Sequence, residues 1–186
     1  MRCQRGLTLV ELVVFIVVVG IAFAALLGAM NAFTRSSPDP LIRKQALAIA
    51  ESLLEEVELM PFTFCDPDDA NASTATSSSI GAGGCATLSE DTAIGPEAGE
   101  LRGNASAPFD NVSDYNGYSM SPIVDVTGSP VTLQGSYSAT VAVAQSGLGG
   151  IAGSESLLIT VTVTPPSGSQ VVLQGYRTRY APRTQQ

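Results

Sequence analysis

The stretch RGLTLVELVVF, residues Arg5–Phe15, decides how the rest of the chain is read. It opens an apolar run of membrane length, yet it carries one carboxylate, Glu11, shortly after a basic stub, MRCQR, that leads into Gly6. From Leu12 to Met30 no residue is charged. As a helix that run covers about 28 Å at ~1.5 Å per residue, close to the ~30 Å hydrocarbon thickness of a bilayer. It is apolar all round, which argues against a helix with one face on a soluble core. The rival reading is a cleaved secretory signal with Ala22-Phe23-Ala24 as its cleavage site. The apolar run continues past that point, so a retained span is expected. Arg2 and Arg5 place the N-terminal end in the cytoplasm, although Arg35, Arg43 and Lys44 dilute the asymmetry.

Leu7 and Glu11 are four residues apart and share one helix face. A chain cut behind Gly6 would begin at Leu7 and set a positive amine at the membrane boundary. A carboxylate and an amine at that depth are each costly alone and offset much of that cost when paired, within one helix or between neighbours in a stack. Thr8-Leu9-Val10-Glu11 also fits the capping box S/T-x-x-E, which accounts for Glu11 locally without any partner. Both readings stand at this point.

The 186 residues suffice for one ordinary domain plus an appendage. A formal net charge of −8 argues against a nucleic-acid partner. There is no His and no Trp, which removes His-based acid–base catalysis, most transition-metal sites and every Ser-His-Asp or Cys-His arrangement. No catalytic motif is present, so a non-enzymatic protein without a cofactor is expected. Cys3, Cys65 and Cys85 are the three cysteines. Loss of the basic stub leaves Cys65 and Cys85, which in an oxidising compartment would close a loop worth about 3 kcal/mol in chain entropy. The alternative is two small buried thiols.

Behind the apolar run, SSPDPLIRKQALAIAESLLEEVELMPF carries Asp39 as a helix N-cap and Pro40 at the first helical position. Ile42, Ala46, Ile49, Leu53, Val57 and Met60 recur at steps of three and four along one face, with Lys44, Glu51, Glu55 and Glu58 opposite. The acidic last turn of this amphipathic helix opposes its dipole. Pro38 and Pro40 should break or kink the path from the membrane run. Residues 66–108 read as a loop-dominated segment containing ASTATSSSIGAGG. Strands follow. VTLQGSYSATVAVA alternates Val131, Leu133, Tyr137, Ala139, Val141 and Val143, LLITVTVT alternates Leu157, Ile159, Val161 and Val163, and QVVLQGYRTRYA returns after PPSGS as a hairpin partner. Threonine on the alternate positions implies one wet face, as in antiparallel sheets. The expected fold is α+β, a long N-terminal helix whose amphipathic part covers a C-terminal antiparallel sheet.

Two polar clusters offer oxygens to Ca²⁺: Asp66, Asp68, Asp69 and Asn71, and Asp110, Asp114 and Asn116. Neither has EF-hand spacing, and Asp and Asn are ordinary turn residues, so turns rather than metal sites are expected.

RGLTLVELVVFIVVVG resembles the cleavage and methylation signature of type IV pilins and type II secretion pseudopilins. The shared features are a basic leader ending in Gly6, the Thr-Leu-x-Glu core and the apolar helix behind it, while Leu7 stands where Phe is usual. The resemblance implies cleavage between Gly6 and Leu7 by a prepilin peptidase, N-methylation of Leu7, and pairing of Glu11 with the N-terminus of an adjacent subunit. It divides the chain into a leader (1–6), a transmembrane and assembly helix (7–36), an amphipathic helix (37–62) and a loop-rich β-sheet domain in the periplasm (63–186). DPLIRKQALAIAESLLEEVELMPFTFCDPDDANAS, FDNVSDYNGYSM and the closing strands are similar to minor pilins of the mannose-sensitive haemagglutinin (MSHA) pilus system. The implied partners are the prepilin peptidase, other major and minor pilins, the inner-membrane assembly machinery and, before assembly, membrane lipid. The implied location is the bacterial inner membrane and then the pilus. The alternatives are a minor pseudopilin of type II secretion and a tip adhesin with Ser/Thr/Asn-rich loops.

Overall fold

The computed structural model describes residues 8–36, 40–91 and 94–180, and of 32–36 the backbone only. The chain divides into two compact units, Met1–Pro40 and Leu41–Gln186. In the first, helix α1 spans Leu9–Ser36. Its segment Leu9–Asn31 is long and apolar enough to cross a membrane, and at ~1.5 Å per residue its 23 residues reach about 35 Å. Its large side chains, from Leu9 to Met30, are exposed. The expected cap Asp39 and the break at Pro38 lie outside the described residues.

Helix α2 spans Pro40–Leu59, with proline at its first position as the sequence predicts. Its buried residues are Ala46, Ala50, Leu53 and Val57, flanked by the partly buried Ile42, Ile49, Leu54 and Met60. Two alanines at the centre of this stripe let the helix backbone come close to what it covers. Its cover is a four-stranded antiparallel sheet in the order β1 (Ser119–Met120), β2 (Ser138–Gln145), β3 (Ser156–Thr164) and β4 (Val171–Thr178). Ala139, Val141 and Val143 of β2 and Leu157, Ile159, Val161 and Val163 of β3 point into the same core as the α2 stripe. The intervening threonines are half-buried or exposed, because successive side chains of a strand face opposite ways. The α+β architecture predicted from the periodicities is therefore the observed one. At Gly175 of β4 the helix sits so close that a Cβ would collide with Glu58 Oε1 and press on Leu54.

One expectation changes. The strand expected from Val131 begins only at Ser138, and Val131 is 43% exposed. The interruption is at Gly135, which has a positive φ of 99° and lies against Pro166, where a Cβ would come within 2.7 Å of Cγ. No β-branched or apolar residue fits that backbone, so the alternation upstream of it never becomes a ladder. At the acidic end of α2, Glu51 and Glu55 are exposed to solvent, and the helix terminus also receives a cation. Arg177 Nε, from β4, donates to the Met60 carbonyl (3.0 Å) just past the last turn, where the helix dipole favours a cation. One turn earlier, Glu56 forms a bidentate pair with Arg102 (2.7 and 2.8 Å) and accepts from the Tyr115 hydroxyl (2.8 Å).

That pair ties the segment between α2 and β1 to the helix. Burial pushes the Glu56 carboxyl up, but the Arg102 guanidinium and the Tyr115 hydroxyl outweigh it, and the net shift is downward from 4.5. Phe109, Tyr115 and Tyr118 meet edge-on beside it, with centroids 5.1–6.2 Å apart. Replacing Arg102 by Ala leaves a mostly buried carboxylate without its cation, so chemical denaturation of the 41–186 unit should show a loss of about 3 kcal/mol at neutral pH. Because the folded-state value of Glu56 lies below 4.5, the stability it contributes is present above 4.5 and is lost as pH falls through the folded value. The difference between wild type and Arg102→Ala should accordingly shrink in acid below that point.

Candidate functional site

The N-terminal helix begins at a side-chain cap. Thr8 Oγ1 accepts from the Glu11 N–H (3.3 Å), and the Thr8 carbonyl accepts from the Leu12 N–H (3.2 Å). This is the forward half of the capping box read from Thr8-Leu9-Val10-Glu11. Glu11 is exposed and is the one charged residue between Leu9 and Asn31. Its carboxylate thus stands at the first turn of the apolar span, where the helix dipole favours an anion. Gly6 and Leu7 lie outside the described residues. Gly20 and Gly28 are interior to α1, and a Cβ on either would meet nothing within 4 Å. Each costs roughly 1 kcal/mol of helix propensity relative to Ala with no compensating contact among the described residues.

In the second unit Cys65 and Cys85 form a disulfide, S–S 2.08 Å, with Ala75 buried against it and Phe64 partly so. The polar residues around it divide by role. Asp69 turns inward and accepts from the backbone N–H groups of Asn71 (2.8 Å), Ala86 (2.9 Å), Thr87 (2.7 Å) and Leu88 (2.9 Å). Burial raises its carboxyl, but these donors prevail and hold it well below the usual carboxylate range. Asn71 donates to the Gly84 carbonyl (2.9 Å), Asp68 is exposed, and its N–H donates to Asp66 Oδ1. Asn116 bridges Ile94 O (2.9 Å) and the Val143 N–H (3.0 Å), pinning the loop to β2. These residues close turns and pin loops.

Asp66, Asp110 and Asp114 do something else. They converge with Glu90, Glu97 and Glu100, three residues the sequence reading did not single out. In each of the sets Asp66–Glu90–Glu97, Asp66–Glu100–Asp110 and Glu97–Glu100–Asp114, one oxygen per residue lies within 4.8 Å of the others. The sets share members, so the six carboxyls form one connected cluster. Asp66, Glu90, Glu100 and Asp114 are buried. Asp114 Oδ2 accepts from the N–H groups of Asp110 (2.9 Å) and Asn111 (2.7 Å), and Glu90 Oε2 accepts from the Ser113 hydroxyl. Burial, and then mutual repulsion, pushes all six upward: Glu90 to about 9, Asp110 to about 7 and Asp114 to about 6. The sequence signal was the acid spacing in SEDTAIGPEAGE, which matches no known ligand pattern and sits in an irregular loop.

The disulfide closes a separation of 20 residues, and a loop of that size restrains the unfolded chain by about 3 kcal/mol. Replacing Cys65 and Cys85 together by Ser should lower the stability of the 41–186 unit by that order. It should also open residues 66–84 to proteases before β2–β4 unfold, which limited digestion followed by mass mapping would detect.

Residues 1–27 match the family model described as the prokaryotic N-terminal methylation motif. The match takes in the basic stub, Gly6, Leu7, Thr8, Glu11 and most of the apolar span. No curated protein and no solved structure matches the chain significantly. The chain thus carries the N-terminal motif at which prepilin peptidase cleaves pilins, which supports a type IV pilin-like protein, ahead of an α+β unit consistent with that class.

Proposed function

We propose that this chain is a minor pilin of an MSHA-like type IV pilus, similar to MshD, made as a membrane-held precursor and then built into the filament through α1. The observation that carries the proposal is the methylation motif at residues 1–27 coinciding with a helix whose apolar side chains are exposed and whose one early charge is Glu11. In this reading prepilin peptidase cuts between Gly6 and Leu7 and the new amine is methylated. The apolar surface of α1 is covered first by lipid and then by the corresponding helices of neighbouring subunits. In lipid the helix meets chains as apolar as itself, so tight side-chain packing, rather than escape from water, supports helix association.

Glu11 sets the register of that association. A carboxylate among packed apolar helices is expensive unless neutralised, and the amine of a neighbouring Leu7 is a cation of the right charge at nearly the same depth. Any axial slip away from that pairing leaves both charges buried alone. Thr8 capping and amine pairing use different atoms, the Glu11 N–H and the Glu11 carboxylate, and operate together. Glycine at positions 20 and 28 fits the same picture, since a helix without side chains there can bend or be approached closely.

A pseudopilin of type II secretion would share all of these N-terminal properties, and we take the pilus reading from the resemblance of residues 39–73 and 109–120 to MSHA minor pilins. Two measurements test the reading. Glu11→Ala should be inserted and cleaved normally, as intact mass shows, but should fall at least about tenfold in sheared filaments. Normal incorporation removes the register role. Deleting the gene should reduce surface pili, whereas loss of protein secretion with intact pili would assign the chain to the secretion apparatus.

A further inference from the structure

We infer that the six-carboxylate cluster is a Ca²⁺ site that locks the segment between α2 and β1. The members come from three places in the chain: Asp66 beside the disulfide, Glu90, Glu97 and Glu100 from the following loop, and Asp110 and Asp114 at the 3-10 turn Ser113–Tyr115. Convergence of acids alone would not distinguish a cation site from a crowded surface. What does is the state of their oxygens. Glu90 and Asp114 are each 1% exposed, yet Glu90 Oε1 and Asp114 Oδ1 have no hydrogen-bond partner, and Glu97 Oε2 and Asp110 Oδ1 are also buried without one. Among the described residues the ion pairs are Arg102–Glu56, Arg179–Asp91 and Arg179–Glu155, so no Lys or Arg serves the cluster. A buried carboxylate oxygen without a donor costs several kcal/mol, and four in one place call for a common cation.

The donors are all oxygen, which selects a hard ion over Zn²⁺ or Cu²⁺. Mg²⁺ demands a near-ideal octahedron and keeps several waters, whereas Ca²⁺ takes about six to eight oxygens in flexible geometry. Carboxylates carried on irregular loops suit the larger and less exacting ion. The set Asp66–Glu90–Glu97 is the principal one, since Asp66 and Glu90 are each 1% exposed and Glu90 and Glu97 each carry an unpartnered oxygen. The bound ion fastens the disulfide loop, the Glu90–Glu100 loop and the 3-10 turn at one point. The site is independent of α1 and of the pilin reading.

The test uses the full chain in detergent micelles, stripped with chelator and dialysed. Equilibrium dialysis with radioactive Ca²⁺ should show saturable uptake of at least one ion per chain, with a Kd below about 1 mM as for extracellular calcium modules. The melting temperature should rise with CaCl2 and not with NaCl of equal ionic strength. Glu90→Gln and Glu97→Gln should each weaken uptake at least tenfold, and Glu55→Gln, on the exposed side of α2, should leave it unchanged. Glu97 is only half-buried, so if Glu90→Gln fails to fold, as judged by circular dichroism, Glu97→Gln carries the test. Absence of saturable uptake by folded wild type, or uptake that survives both substitutions, overturns the site. Equal affinity for Mg²⁺ overturns the assignment to calcium.

Discussion

The apolar faces of β2 and β3 must be kept from water, and α2 is the element that covers them. Ala46 and Ala50 are fully buried in the same core as Val141, Ile159 and Val161, and a larger residue at either position would overpack it. The close approach then imposes itself on the strands. A side chain at Gly175 would have to displace the ends of Glu58 and Leu54, and Arg177, two residues on, reaches the carbonyl at the end of α2. A helix whose own last turn is acidic thus receives its cation from the strand it lies over.

The long segment between α2 and β1 depends on the same platform but is organised by different physics. It has little regular structure, so its backbone groups and charges must be satisfied individually. Asp69 gathers four backbone amides, the disulfide fastens Cys65 to Cys85, and Glu56 of α2 binds Arg102 and Tyr115. Arg179, just past β4, lies over the rings of Phe62 and Phe64 and pairs with Asp91. Each attachment joins residues far apart in sequence. The acidic cluster is the place where these constrained loop paths meet, and like charges crowd there without a Lys or Arg partner among the described residues.

The two units therefore answer to different solvents. α1 exposes an apolar surface that only lipid or other helices can cover, and its single early charge has a local cap for its N–H but no cation along the described chain. The second unit has a dry core of its own and a half-wet sheet.

The elements that rest on local periodicity were legible in the residues alone. A long apolar run argues for a span-like helix, steps of three and four for one helix face, and alternating Val and Thr for a half-buried strand. The Cys65–Cys85 pairing stood beside the alternative of two buried thiols, and the Thr8 cap beside amine pairing of Glu11, until the structure showed the disulfide and the cap. Periodicity misled at Val131 and Leu133, because Gly135 against Pro166 breaks the ladder and that contact exists only in three dimensions. It was silent about Glu90, Glu97 and Glu100, since acidic residues scattered over irregular loops have no period to reveal which of them will meet. Secondary structure is set by neighbours in sequence and so is written there. The meeting of six carboxylates is set by where long loops are fastened, by one disulfide, two arginines and an inward-turned aspartate, and only the tertiary structure decides that.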